Sequence, residues 1–105
     1  MLPIEDVRAA AYTVPTDAPE SDGTFAWSST TLVVVHVSAG GIEGLGYTYA
    51  NAATAAFVLD PLAHALKGRD AMATGDCWTA MNVAVRNLGR AGVARMAISA
   101  LDVAL

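Results

Sequence analysis

Charge is what this sequence has least of. Six of its 105 residues are Lys or Arg and ten are Asp or Glu, 15% together, against about 25% in an ordinary soluble domain. Hydrophobic residues make up 54%. A small domain has much surface for its volume, so charges this sparse leave apolar surface uncovered. An apolar face meant for a second domain or for a homo-oligomer partner is therefore expected. The shortage of cations excludes a nucleic-acid binder, since the net charge is −4 and the basic residues form no stripe. A lone cysteine, Cys77, excludes an internal disulfide or a cysteine-rich metal site and fits a reducing compartment. No apolar run reaches membrane-spanning length and the N-terminus lacks the shape of a signal peptide, so the expected setting is cytoplasmic, with no membrane partner.

The charge that is present divides along the chain. Through Asp60 the one basic residue is Arg8, set against Glu5, Asp6, Asp17, Glu20, Asp22, Glu43 and Asp60. Beyond it Lys67, Arg69, Arg86, Arg90 and Arg95 outnumber Asp70, Asp76 and Asp102. The length predicts a single domain over residues 1–105, large enough for a core without staples.

Thr31–Val37 is almost wholly β-branched and predicts a strand. Gly40 and Gly41 suit a hairpin turn, so Ile42–Tyr49 should return antiparallel. Glu5–Val14 alternates weakly and predicts a third strand, ended by Pro15. Between the first two strands, Pro15–Ser29 reads as a long acidic loop broken by Pro15, Pro19 and Gly23. An unstructured loop of that length in a small domain suggests a lid or contact surface. After Tyr49 the spacing turns helical. Asn51 or Thr54 could cap a helix with Ala55, Leu59, Leu62 and Leu66 on one stripe, kinked at Pro61 and stopped by Gly68. Asp76 or Thr74 could cap a second helix with Trp78, Met81, Val85 and Leu88 on one face. Asn87–Gly92 reads as a break. The last helix, Val93–Leu105, has a small stripe (Val93, Met96, Ala97, Ala100, Ala104) and a large one (Ile98, Leu101, Leu105). It lacks stop signals, so it looks cut off from something that continued, and the large stripe should be exposed unless a partner covers it. The fold class expected is α+β, a three-stranded antiparallel β-meander followed by a three-helix bundle.

Few residues suggest chemistry on their own. Gly41-Ile-Glu-Gly-Leu-Gly46 lacks phosphate-loop spacing and a βαβ context, which favours a bulged or closely packed strand. Asp17, Glu20 and Asp22 lack calcium-loop spacing and a histidine partner and read as a solvated loop edge. His36 and His64 have no third ligand near them in sequence and read as ordinary packed or surface histidines. Cys77 follows a helix start that could lower its pKa, though a structural thiol is the better reading. Trp27, Tyr47 and Tyr49 stand at strand ends, where aromatics usually pack.

The ordered set Val14-Pro-Thr-Asp…Trp27-Ser-Ser-Thr-Thr-Leu-Val-Val-Val, Gly41-Ile-Glu-Gly-Leu-Gly-Tyr47, Leu66-Lys-Gly-Arg-Asp70 and Met96-Ala-Ile-Ser-Ala-Leu-Asp-Val-Ala-Leu105 resembles the N-terminal capping domain of the enolase superfamily. The mandelate racemase and muconate lactonizing enzyme branch is the nearest likeness, and it covers essentially the whole chain. The resemblance implies a cap that precedes a (β/α) barrel absent from this chain. In the family the barrel holds magnesium and the acid/base groups that abstract the proton α to a carboxylate. It further implies a racemase or dehydratase acting on a hydroxy acid or sugar acid, with the cap closing over the barrel mouth and selecting the substrate. Thr16, Asp17, Trp27, Tyr47, Thr48 and Tyr49 would then be lid residues. No family metal ligand or catalytic residue has a counterpart here, so the chain alone should be inactive. The alternative is a free-standing module that oligomerises and catalyses nothing.

Overall fold

The structure, a computed structural model, describes residues 1–89 and 91–105; Arg90 lies outside them. Three strands, β1 (Ile4–Ser21), β2 (Ala26–Ala39) and β3 (Ile42–Tyr49), form one antiparallel sheet in the order β1-β2-β3. Four helical segments follow: α1 (Ala52–Phe57), α2 (Ala63–Leu66), α3 (Thr74–Ala84) and α4 (Val93–Ala104), with a wide turn over Val58–Leu62 joining α1 to α2. The α+β meander-plus-helices architecture is the one the sequence patterns predict, with the first helix kinked as Pro61 requires. Asp60 sits in extended geometry (φ −156°, ψ 115°) at the kink, because the ring of Pro61 disfavours helical geometry in the residue before it. No helix among the described residues is long and apolar enough to cross a membrane.

The largest departure from the sequence reading concerns Pro15–Ser29. It is not a loop. β1 continues past Pro15 to Ser21 and β2 begins at Ala26, so the two form a long hairpin arm closed at Asp22–Phe25. Proline is tolerated there because β1 is an edge strand whose outer side has no ladder to complete. A bulge absorbs the rest: Pro15 pairs with Ser29 and Glu20 with Trp27, leaving Thr16–Pro19 opposite Ser28 alone. β3 ends at Tyr49 opposite Leu32, so Ala26–Thr31 of β2 overhang it, about 20 Å at ~3.3 Å per residue. The radius of gyration, 14.9 Å, exceeds the roughly 13 Å of a compact chain this long, as a projecting arm requires.

The core lies between one sheet face and the helices. Val33, Val35 and Val37 of β2 meet Val58, Leu62, Leu66, Cys77, Met81, Val85, Ile98 and Leu101, all fully or nearly fully buried. Ile98 (1% exposed) and Leu101 (0%) thus overturn the expectation of an uncovered large stripe on the last helix. Both α4 stripes face the core of their own chain, and burying a side chain of that size contributes about 1.5–3 kcal/mol. Two other predicted stripes shift. Leu59 is exposed and Val58 takes its place, because the kink rotates the face. Trp78 and Leu88 are exposed while Cys77 joins Met81 and Val85 inside, since α3 ends at Ala84, before Leu88 could share its face. Caps fall one residue off or do without side chains: Asn51 precedes α1 and Ala73 precedes α3, neither with a side-chain hydrogen bond. Thr54 is buried within α1, its Oγ1 without a partner.

α4 lies directly on β3. A Cβ built on Gly44 would fall 1.8 Å from the carbonyl oxygen of Ala104, and one on Gly46 would fall 1.9 Å from that of Ala100. From Gly44 to Gly46 the segment is therefore a closely packed strand, while Gly41 belongs to the turn before it. The resembling stretch Leu66–Asp70 also acquires a role: after α2 the chain pairs with the N-terminus, with Ile4 N–H donating to Arg69 O (2.8 Å) and Gly68 N–H to Ile4 O (2.9 Å). Asp70 Oδ1 accepts from Leu2 N–H (3.0 Å) and Met72 N–H (3.1 Å).

Two outcomes follow from this packing. Gly46→Ala sets a methyl against a helix backbone that cannot yield locally, so urea denaturation should show a loss of about 1–3 kcal/mol or more; an unchanged midpoint would refute the close approach. The second outcome concerns acid. The Leu2 and Met72 N–H groups, in that order, hold the Asp70 carboxyl below its usual range. Its contribution is therefore complete above the ordinary value of about 4 and is lost as pH falls through the depressed one. The stability gap between the parent and Asp70→Asn should be open near neutrality and close in acid, read from thermal melts across that range.

Candidate functional site: the hairpin arm and the end of the third strand

Strand alternation sorts four of the six residues expected in a lid onto two faces. Tyr47 and Tyr49 pair with Val34 and Leu32 on the outer face, away from the helices. They are 57% and 66% exposed, with rings edge-to-face at 6.0 Å. Thr48, opposite Val33, is half-buried on the helix side, and Trp27 falls on the same side by its spacing from Val33. Thr16 lies in the bulge, its hydroxyl donating to Ala18 O at 2.7 Å. A shallow groove brings it to Tyr49 together with Val14, Pro15, Thr30 and Leu32. Asp17 is exposed in the same bulge. All six thus cluster about the arm and its base, but no single surface contains them.

Two residues at the arm's end, Glu20 and Phe25, take roles that the sequence reading did not assign. Glu20 Oε2 accepts a hydrogen bond from Trp27 Nε1–H at 2.9 Å, and the Phe25 ring stacks on Trp27 with centroids 6.5 Å apart. The turn below them is tied by Asp22, whose Oδ1 accepts from Thr24 N–H (3.0 Å), Thr24 Oγ1–H (3.0 Å) and Phe25 N–H (2.9 Å). Those donors, the Thr24 amide foremost, hold the Asp22 carboxyl below its ordinary range. The turn carried a signal: Asp followed by Gly is a strong turn pair whose Asp side chain can bond the backbone ahead of it. The acids read as a solvated edge are exposed as expected, but two of the three organise the arm.

At the opposite end of the outer face lies a cross-strand polar group that spacing alone could not reveal. Glu43 pairs with Arg8, accepts from Ser38 Oγ (3.4 Å) and meets His36 Nδ1 at 3.0 Å, while Asp6 stands 3.8 Å from Arg8 Nε. The Arg8 hydrogen bond, foremost, lowers the Glu43 pKa. Three strands supply these groups, and register brings them together. Elsewhere His64 meets Asp60 across the kink at 3.4 Å, both largely exposed. Cys77 is the buried structural thiol expected of it: burial foremost, with the Asp76 charge, pushes its pKa up, against the lowering its helix start could have given, and the thiol donates to Asp70 O at 3.5 Å.

Among the described residues, no group of three His, Cys, Asp or Glu side chains could hold a metal ion. Glu43 is taken up by Arg8, His36 and Ser38, so the chain's own donor set does not fit magnesium.

Known proteins place this geometry. Residues 6–105 match the family described as mandelate racemase / muconate lactonizing enzyme, N-terminal domain. The chain is 37% identical over 108 residues to a 3,6-anhydro-alpha-L-galactonate cycloisomerase of Streptomyces coelicolor, covering 97% of this chain and 30% of that protein. The crystal structure of a mandelate racemase/muconate lactonizing enzyme-like protein from Rubrobacter xylanophilus superposes with a TM-score of 0.94 at 48% identity, over 97% of this chain and 28% of that one. A racemase from Streptomyces coelicolor A3(2), crystallised with bound magnesium, gives 0.92 at 36% identity, over 96% and 30%. The chain thus spans less than a third of the length of these relatives. With sequence and fold agreeing over nearly all of its length, the chain belongs to the mandelate racemase / muconate lactonizing enzyme family, as its N-terminal domain.

Proposed function

We propose that this domain is the substrate-selecting cap of a magnesium-dependent enzyme that abstracts the α-proton of a hydroxy-acid or sugar-acid carboxylate. The observation that carries the reading is the arm. It overhangs β3 by about 20 Å and presents aromatic and polar groups that the core does not need. Such a segment suits a cover over a reaction site whose metal and acid/base groups stand on another part of a longer protein, a (β/α) barrel in this reading. The relatives are consistent with it: one is named for a sugar-acid cycloisomerase and one is crystallised with magnesium. The arm's charge adds a detail. Pro15–Ser29 carries Asp17, Glu20 and Asp22 and no cation, so it would repel a substrate carboxylate and suits the hydroxyl-bearing end.

A second reading rests on the outer sheet face, where Tyr12, Leu45, Tyr47 and Tyr49 are each more than half exposed. An apolar face of that kind favours a homo-oligomer contact, and it replaces the Ile98–Leu105 face as the place to look.

Three measurements test these readings. The isolated chain should neither bind magnesium at a specific site nor exchange an α-proton; micromolar magnesium binding in calorimetry would overturn the division of labour. In the longer protein, Tyr47→Phe removes one hydrogen-bonding hydroxyl and should lower kcat/KM roughly ten- to a hundredfold with magnesium affinity intact. Trp27→Ala should change which acids are accepted. Parental kinetics in both variants would make these aromatics plain packing residues. For the second reading, Leu45→Glu should shift an oligomer toward monomer in sedimentation velocity; a parent already monomeric removes it.

A further inference from the structure

We infer that Glu20 and Phe25 are positioning residues that hold the Trp27 indole in one orientation on the arm, so that selection by Trp27 depends on both. The inference rests on the reading of the arm as a substrate cover.

The bulge is what makes the arrangement. Extended unbulged from Pro15 opposite Ser29, the register would place Asp17 opposite Trp27. Four residues against one insert three extra positions and set Glu20 there instead. Side chains alternate with a period of two, so an odd insertion also reverses which face of β1 each later residue takes. Glu20 is thereby brought onto the face of Trp27, and its longer side chain reaches Nε1 at 2.9 Å.

The other contact comes from the turn. Asp22 fixes Thr24 and Phe25 through three hydrogen bonds, and Phe25 lies nearly parallel to Trp27, with 26° between ring planes. An indole has two side-chain torsions, and a bond at Nε1 with a ring on its face restrains both. Neither contact joins the core, and an exposed hydrogen bond adds little to stability. Pre-orientation of a binding side chain is what such an arrangement supplies.

The test begins with this chain, in Trp78→Phe so that Trp27 is the one remaining indole. The Trp27 indole N–H resonance should move in Glu20→Ala but stay near its parental position in Glu20→Gln, which retains an acceptor. Fluorescence anisotropy decay should report a freer indole in Glu20→Ala and Phe25→Ala. Parental resonance and anisotropy in both alanine variants would overturn the inference. The second arm uses the longer protein assayed against a panel of aldonic acids. Glu20→Ala should shift relative kcat/KM values roughly two- to tenfold and should add nothing in a Trp27→Phe background. If Trp27→Ala shifts selectivity while Glu20→Ala does not, positioning fails and the cover stands. If neither shifts it, the cover itself fails.

Discussion

The contact on which the rest depends is a backbone-to-backbone one. Gly44 and Gly46 let the carbonyls of Ala100 and Ala104 approach within distances at which a Cβ could not exist. Their neighbours along α4 are small for the same reason: Ala97, Ala100 and Ala104 face inward and are buried. With the helix set down this closely, Ile98 and Leu101 reach across to the valines of β2, and one core forms rather than two shallow ones. Dispersion falls steeply with separation, so a helix held even ~1 Å further out would lose much of this contact.

That seat also explains why the sheet is so unequal on its two sides. The helices cover one face completely over β2, where Val33, Val35 and Val37 are buried, and leave the other bare, with Tyr12, Leu45, Tyr47 and Tyr49 in solvent. The helical layer also stops short of the arm. Past Tyr49 the sheet thins from three strands to two, and the arm is held by its own ladder, the Thr13–Thr31 hydroxyl pair (2.9 Å) and the Glu20–Trp27 bond. Rigid seating at one end and a self-supported ribbon at the other is a division of labour that loops on enzymes commonly show.

Much of this was legible in the residues. The β-branched run Thr31–Val37 lies within β2, the Gly40-Gly41 turn follows it, the return strand has the expected ends Ile42–Tyr49, and Pro61 kinks the first helix where it must. The arm was misread because Pro15 and Pro19 look like strand breakers. Proline excludes itself only where a ladder needs its N–H, and nothing in a linear sequence says that β1 is an edge. The exposed-face expectation for Ile98 and Leu101 failed differently. It treated a nearly all-apolar helix as needing an external partner, whereas alanines and strand glycines permit close packing within the chain. The Arg8–Glu43–His36 group and the Glu20–Trp27 bond were invisible because both are products of register. A bulge of three positions decides which carboxylate meets the tryptophan.

Electrostatics supplies the last step. Two of the arm's three carboxylates are committed, Asp22 to its own turn and Glu20 to an indole, while Glu43 at the far end of the face is held by Arg8. A divalent cation needs several oxygens that are free and converge, and these are neither. Hydrogen-bonded in this way, Asp22, Glu20 and Glu43 are poor ligands for a metal, yet the arm stays negative overall. As the cover of the proposed enzyme, a negative arm would disfavour the carboxylate end of an acid substrate and leave that end to the metal site. In the proposed enzyme, the poverty of positive charge in the first sixty residues would orient the substrate, because it leaves one end of the molecule as the acceptable one to face the arm.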